Sequence, residues 1–194
     1  MSTEILVIGD THIPDRADTV PDKLREVIEG GKPWSIVVFT GDFTGKTVYD
    51  WVYGLGRKVY VVRGNMDYLP LPKTARFSIG DIVFGVHHGD GVYPRGDTRG
   101  LTRIASRLNV KVLFNGHTHD PFVKKSLDGR ILFINPGSLT GVWSGGGGSL
   151  KPSMMIVEVL DNNLKIIHYE LSRDWRRLSV YEKKAVLSSD KWIV

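Results

Sequence analysis

The chain has six histidines, and five of them stand in three short motifs. These are Gly9-Asp10-Thr11-His12, His87-His88-Gly89 and Asn115-Gly116-His117-Thr118-His119, each following an apolar run. Two more apolar runs end in Gly41-Asp42 and Gly64-Asn65. Only His168 lies elsewhere. Taken singly, Gly-Asp and Gly-Asn are common turn dipeptides, and a His-x-His pair is ordinary in a solvated loop. Taken together, five consecutive strand ends offer nitrogen and oxygen donors: Asp10, His12, Asp42, Asn65, His88, His117 and His119.

That donor set points to metal chemistry. The chain has no cysteine, so no thiolate can take part. Seven nitrogen and oxygen donors are too many for one tetrahedral ion. They suit two divalent ions per chain, with Mn2+ foremost and Ni2+, Co2+, Fe2+ or Zn2+ as the other candidates. Asp42 has two carboxylate oxygens, enough to bridge both ions. Two ions about 3.5–4 Å apart bind a hydroxide and clamp a phosphoryl group for in-line attack.

Such donors must be carried to one place. Residues 5–8, 36–39 and 59–62 are short apolar runs that read as buried parallel strands. Between them, 19–30 has one apolar stripe and predicts a helix, with Pro21 in its first turn. A second helix is expected over 45–55. Paired apolar runs about Gly80-Asp81, Asp128-Gly129 and Asp161-Asn162-Asn163 predict three hairpins. Asp97 can cap a third helix running to Leu108. Ligands in open α/β sheets bind at the carboxyl ends of the strands, where the five motifs lie. Residues 144–149, Ser-Gly-Gly-Gly-Gly-Ser, read as a mobile loop. The expected fold is a four-layer α/β/β/α sandwich of two facing mixed sheets. It occupies residues 1–172. Residues 173–194 form a tail that Trp175 and Trp192 are expected to dock on the domain or on a partner subunit, which allows a homo-oligomer.

Composition narrows the function classes. Hydrophobic residues make up 41% and charged residues 24%, the balance of a globular protein. No apolar run approaches the roughly 20 residues that span a bilayer, so no membrane partner is expected. The opening Met-Ser-Thr-Glu-Ile lacks a basic n-region and reads as the lead into a first strand, with a cytoplasmic location as the default. The net charge is +5, and +3 of it falls in the last 22 residues. The remainder shows no obvious nucleic-acid stripe, so nucleic acid is not the favoured partner.

The ordered series GDTH, GD, GN, HHG, GHTH over residues 5–140 resembles the calcineurin-like metallophosphoesterases. VIGDTHIP at 7–14, VRGN at 62–65, GHTH at 116–119 and INPGS at 134–138 are similar to its small single-domain branch. That branch comprises the YfcE-type phosphodiesterases and the scaffold subunit of the retromer coat. The resemblance implies that Asp10, His12 and His119 hold one ion, that Asn65, His88 and His117 hold the other, and that Asp42 bridges them. It implies a metal-bound hydroxide as nucleophile and a small phosphodiester as substrate. Catalysis through the metals then falls to Asp42, Asn65, His88 and Asp10. Arg63, Asn65 and Asp90 are the candidates for meeting the substrate phosphate, and Asn135 and Ser138 are expected to border the site.

The chain departs from the wider pattern in two places. The histidine that often follows Gly-Asn, and helps protonate the leaving group, is replaced by Met66, with Asp67 next. Where many relatives have His-Gly-His, this chain has His88-Gly89-Asp90. The first departure favours diester or activated substrates over those with poor leaving groups. A competing reading is a non-catalytic interaction scaffold like the retromer subunit. That subunit is altered at the positions matching Asp42 and Asn65, and both are intact here.

Overall fold

Strands without polar alternation need cover on both faces. The computed structural model, which describes residues 2–194, supplies it with two sheets packed face to face and helices outside them. In chain order the elements are β1 (Thr3–Ile8), α1 (Asp22–Gly30), β2 (Ile36–Phe39), α2 (Lys46–Tyr53) and β3 (Val59–Val61). Next come β4 (Thr74–Ile79), β5 (Ile82–His87), α3 (Thr98–Leu108), β6 (Val112–Phe114), β7 (Phe122–Lys125) and β8 (Leu132–Asn135). Last are β9 (Ser153–Leu160), β10 (Asn163–Leu171), β11 (Leu178–Ser188) and β12 (Lys191–Ile193). A seven-stranded sheet runs in the order β12-β11-β10-β9-β1-β2-β3, and a five-stranded sheet in the order β4-β5-β6-β8-β7. β1, β2 and β3 are mutually parallel, as are β5, β6 and β8.

The period-2 alternation of β1 divides the core. Ile5 and Val7 face the other sheet and share a cluster with Val86, Val112, Phe114 and Ile134. Leu6 and Ile8 face outward and pack with Leu24 and Ile28 of α1 and Val48 and Val52 of α2. On the far side, Leu101 and Ala105 of α3 cover Leu113 and Phe133. Four layers result, the expected α/β/β/α sandwich. Phe77, Phe84 and Phe114 stack between the sheets, with ring centroids 5.2 and 5.8 Å apart for successive pairs.

Several local expectations need correction. α1 begins at Asp22 rather than 19, because Pro21 is the N-cap, with an extended ψ of 131°. α2 is shorter than 45–55, because Gly54 ends it, its N–H bonding to the Trp51 carbonyl. Asp97 caps α3 as expected, accepting from the Gly100 N–H at 2.9 Å. Residues 144–149 form a loop without regular structure that makes hydrogen bonds at both ends. Arg95 Nη1 donates to the Ser144 carbonyl at 2.8 Å, and the Ser149 N–H to the His119 carbonyl at 3.1 Å.

Residues 173–194 supply β11 and β12 at the edge of the larger sheet. β11 pairs with β10 from Asn163↔Val186 to Leu171↔Leu178. Trp192 is buried in the core between the sheets, and its Nε1–H donates to the Lys111 carbonyl at 2.9 Å. Trp175 stays largely exposed.

Candidate metal centre

Parallel strands deliver their carboxyl ends to one rim. Asp10 and His12 follow β1, Asp42 follows β2, Asn65 follows β3, His88 follows β5, and His117 and His119 follow β6. The loops meet so tightly that side chains are excluded beside the donors. A Cβ on Gly64 would lie 2.0 Å from Asp42 Oδ1, and one on Gly116 would lie 2.4 Å from Asp10 Oδ2. Asp10, His12, Asp42, His117 and His119 all have positive φ, between 49° and 69°. Non-glycine residues adopt that left-handed backbone at a cost, and such strain concentrates at functional sites.

Asp10, His12, Asp42 and His119 converge, with one donor atom from each inside a cluster 4.8 Å across, and all four are buried. His12 Nε2 lies 3.1 Å from His119 Nε2 and 3.3 Å from Asp42 Oδ2. His119 Nε2 lies 3.3 Å from Asp10 Oδ1. Asp42 also faces the next group, since its Oδ2 is 3.3 Å from His88 Nε2. That nitrogen is in turn 3.1 Å from Asn65 Oδ1. His117 stays outside the four-residue cluster, with its ring centroid 5.1 Å from that of His88.

These donors fit a divalent cation. His119 Nδ1–H donates to the Val142 carbonyl at 2.7 Å, and His88 Nδ1–H to the Thr40 carbonyl at 2.8 Å. Each ring is thereby oriented with Nε2 aimed at carboxylate or amide oxygens. Acceptors facing acceptors repel unless a proton or a metal ion lies between them, and carbonyl-anchored rings are the usual support of metal-bound histidines. The protein's charges point the same way. Burial opposes a charge on His88, but hydrogen bonding to Asp42 and the charges of Asp10 and Asp42 outweigh it and raise its pKa to about 9. Burial would raise Asp42, yet His88 and the Met66 N–H hold it down at about 2. His12 and His117 are lowered to about 4, chiefly by burial, and so are neutral and ready to ligate at pH 7.

A family model described as the calcineurin-like phosphoesterase superfamily domain matches residues 3–184. The chain belongs to the calcineurin-like phosphoesterase superfamily. A probable metallophosphoesterase of Methanocaldococcus jannaschii is 44% identical over 134 residues, which cover 69% of this chain and 67% of that protein. Among solved structures, Vps29 of Entamoeba histolytica complexed with Zn2+ is 33% identical. It has a TM-score of 0.84 and covers 94% of this chain and 99% of its own. Vps29 of Cryptosporidium parvum has a TM-score of 0.87 at 27% identity, over 95% of this chain and 98% of its own.

The structure adds residues that position the site here. Asp67 is buried and collects four backbone N–H groups: Phe43 at 2.7 Å, Thr44 at 3.0 Å, Asp42 at 2.9 Å and Gly64 at 2.7 Å. It ties the Asp42 loop to the Asn65 loop. The sequence signal was the acid after Met66, but which groups it meets depends on contacts about 24 residues away. Asn135 and Ser138 support the site from behind. Asn135 Nδ2 donates to the Gly116 carbonyl at 2.9 Å, and Ser138 Oγ to the Asp10 carbonyl at 2.7 Å. Arg63, Asn65 and Asp90 line one cavity of about 150 Å³ with Lys73.

Proposed function

We propose that the protein is a divalent-metal-dependent phosphodiesterase with a dinuclear centre. The observation that carries this reading is Asp42, whose Oδ2 lies 3.3 Å from both His12 Nε2 and His88 Nε2. Asp10, His12 and His119 are suited to hold one ion and Asn65, His88 and His117 the other, with Asp42 shared. Bound divalent ions supply Lewis acidity toward the phosphoryl oxygens and make water acidic enough to attack phosphorus near neutral pH. The chain's own residues then orient and screen. The Thr40 and Val142 carbonyls fix the two rings, and Asp67 keeps the loops in register. Met66 offers no proton at the position where a histidine would serve the leaving group. A diester with an acidic leaving alcohol suits that arrangement better than a phosphomonoester. Mn2+ is our first candidate metal. Zn2+ is the next, since it is the ion of the Entamoeba histolytica Vps29 complex.

The test is hydrolysis of bis-p-nitrophenyl phosphate against p-nitrophenyl phosphate, using metal-stripped protein and added Mn2+, Ni2+, Co2+, Zn2+ or Mg2+. The reading expects metal-dependent turnover with the diester preferred. Preference for the monoester would keep the phosphoesterase and remove the diester specificity. A second reading, an interaction scaffold, is supported by the whole-chain likeness to Vps29 and by Val180, Tyr181 and Ile193, exposed on β11 and β12. Bound metal without turnover on either ester would favour it.

A further inference from the structure

Beside Asn65 lies a small cavity of about 150 Å³, lined by Arg63, Gly64, Asn65, Lys73 and Asp90. Its wall is held by the backbone. The Arg63 N–H bonds to the Pro72 carbonyl at 2.7 Å, which clamps the end of β3 to the loop carrying Lys73. Arg63 and Lys73 are exposed, and neither has an ionic partner among the described residues. The only acid on the cavity is Asp90. Asp90 also lines the next cavity, of about 230 Å³, where Arg103 and Arg107 stand one turn apart on α3. Both arginines are exposed and likewise lack an ionic partner among the described residues. Four cations against one carboxylate thus extend away from the Asn65 side of the centre.

Unpaired cations grouped on one side of a phosphoryl site raise the local concentration of anions and recognise them. A scissile phosphate beside Asn65 accounts for one negative centre and leaves Lys73 without a partner. We propose that Arg63 and Lys73 form an anion subsite for a second phosphate, so that the natural substrate carries at least one phosphate besides the scissile one. This rests on the phosphoesterase reading above. Arg103 and Arg107 keep the field positive beyond Asp90 for a substrate with further phosphates.

Two chromogenic diesters test it: thymidine 5′-(p-nitrophenyl phosphate), and the same compound with an added 3′-phosphate. The scissile bond is identical in both. The subsite predicts a kcat/KM about tenfold higher for the bisphosphate, carried by KM, as expected of one charge-assisted contact. In Lys73→Ala the ratio between the probes should fall close to one, and Lys73→Arg should restore most of it. Calorimetry gives a readout apart from turnover: thymidine 3′,5′-bisphosphate should bind more tightly than thymidine 5′-phosphate, and Lys73→Ala should remove the difference. Equal kcat/KM for the two probes in the unaltered protein would overturn the subsite, as would a preference that survives Lys73→Ala. Absence of turnover on both probes and on bis-p-nitrophenyl phosphate would instead overturn the phosphoesterase reading beneath it.

Discussion

At the scale of single residues, the charge pattern around Asp42 makes a distinctive prediction for the metal-free protein. His88 has a pKa raised from 6.5 to about 9, so its contribution to stability is complete below pH 6.5 and is lost as pH rises toward 9. His12 and His117 are lowered from 6.5 to about 4, so they oppose folding as pH falls from 6.5 toward 4. Metal-stripped protein should therefore melt highest near pH 6.5 and lose stability on both sides, which a series of thermal melts would show. Metal ligation requires neutral imidazole, so an ion replaces the proton on His88. The loaded protein should keep its melting temperature from pH 6.5 to 9. A loaded protein that declined in parallel with the stripped one would separate His88 from the metal.

At the scale of elements, the strand-end loops act as a unit, and Asp67 joins two of them. Asp67→Asn keeps the shape but turns an amide NH2 toward backbone N–H groups. It should weaken metal affinity by about 10–100-fold, the usual effect of losing an outer partner of a ligand. Metal titration followed by calorimetry measures it, and unchanged affinity would mean the loops hold themselves. The donors that converge at the strand ends were legible in the sequence for a physical reason. Parallel strands buried on both faces leave uninterrupted apolar runs, and close loop contact demands a glycine before most of the donors, as at Gly64 and Gly116. The partners of Asp67 were not legible, because a carboxylate's four N–H donors depend on how distant loops pack. Nor was the cationic cavity, since Lys73 and Arg63 become neighbours only through the Arg63–Pro72 backbone hydrogen bond. The start of α1 differs because Pro21 serves as its cap instead of a first-turn residue.

At the scale of the whole molecule, the last strands complete the larger sheet. β11 buries only Ala185, and Lys183 and Lys184, which point to opposite faces of the strand, are both exposed, so its sequence shows little strand alternation. Exposed charges of this kind also discourage edge-to-edge pairing between molecules. The anchoring side chain is Trp192, 2% exposed. Trp192→Ala should cost about 3–5 kcal/mol in denaturant unfolding, the range for removing a buried aromatic. A loss under about 1 kcal/mol would mark residues 173–194 as dispensable to the domain. No helix among the described residues is long and apolar enough to cross a membrane.

In the proposed function the converged donors hold divalent metal for phosphoester cleavage. Its most direct test is a titration of Mn2+ into metal-stripped protein, following bound ions per chain and hydrolysis of bis-p-nitrophenyl phosphate together, with Asp42→Ala alongside. We predict that turnover rises with occupancy and levels off at two ions per chain. In Asp42→Ala it should fall by about a thousandfold, the effect of losing several kcal/mol of transition-state stabilisation. Turnover that is independent of bound metal, or undiminished in Asp42→Ala, would contradict the account.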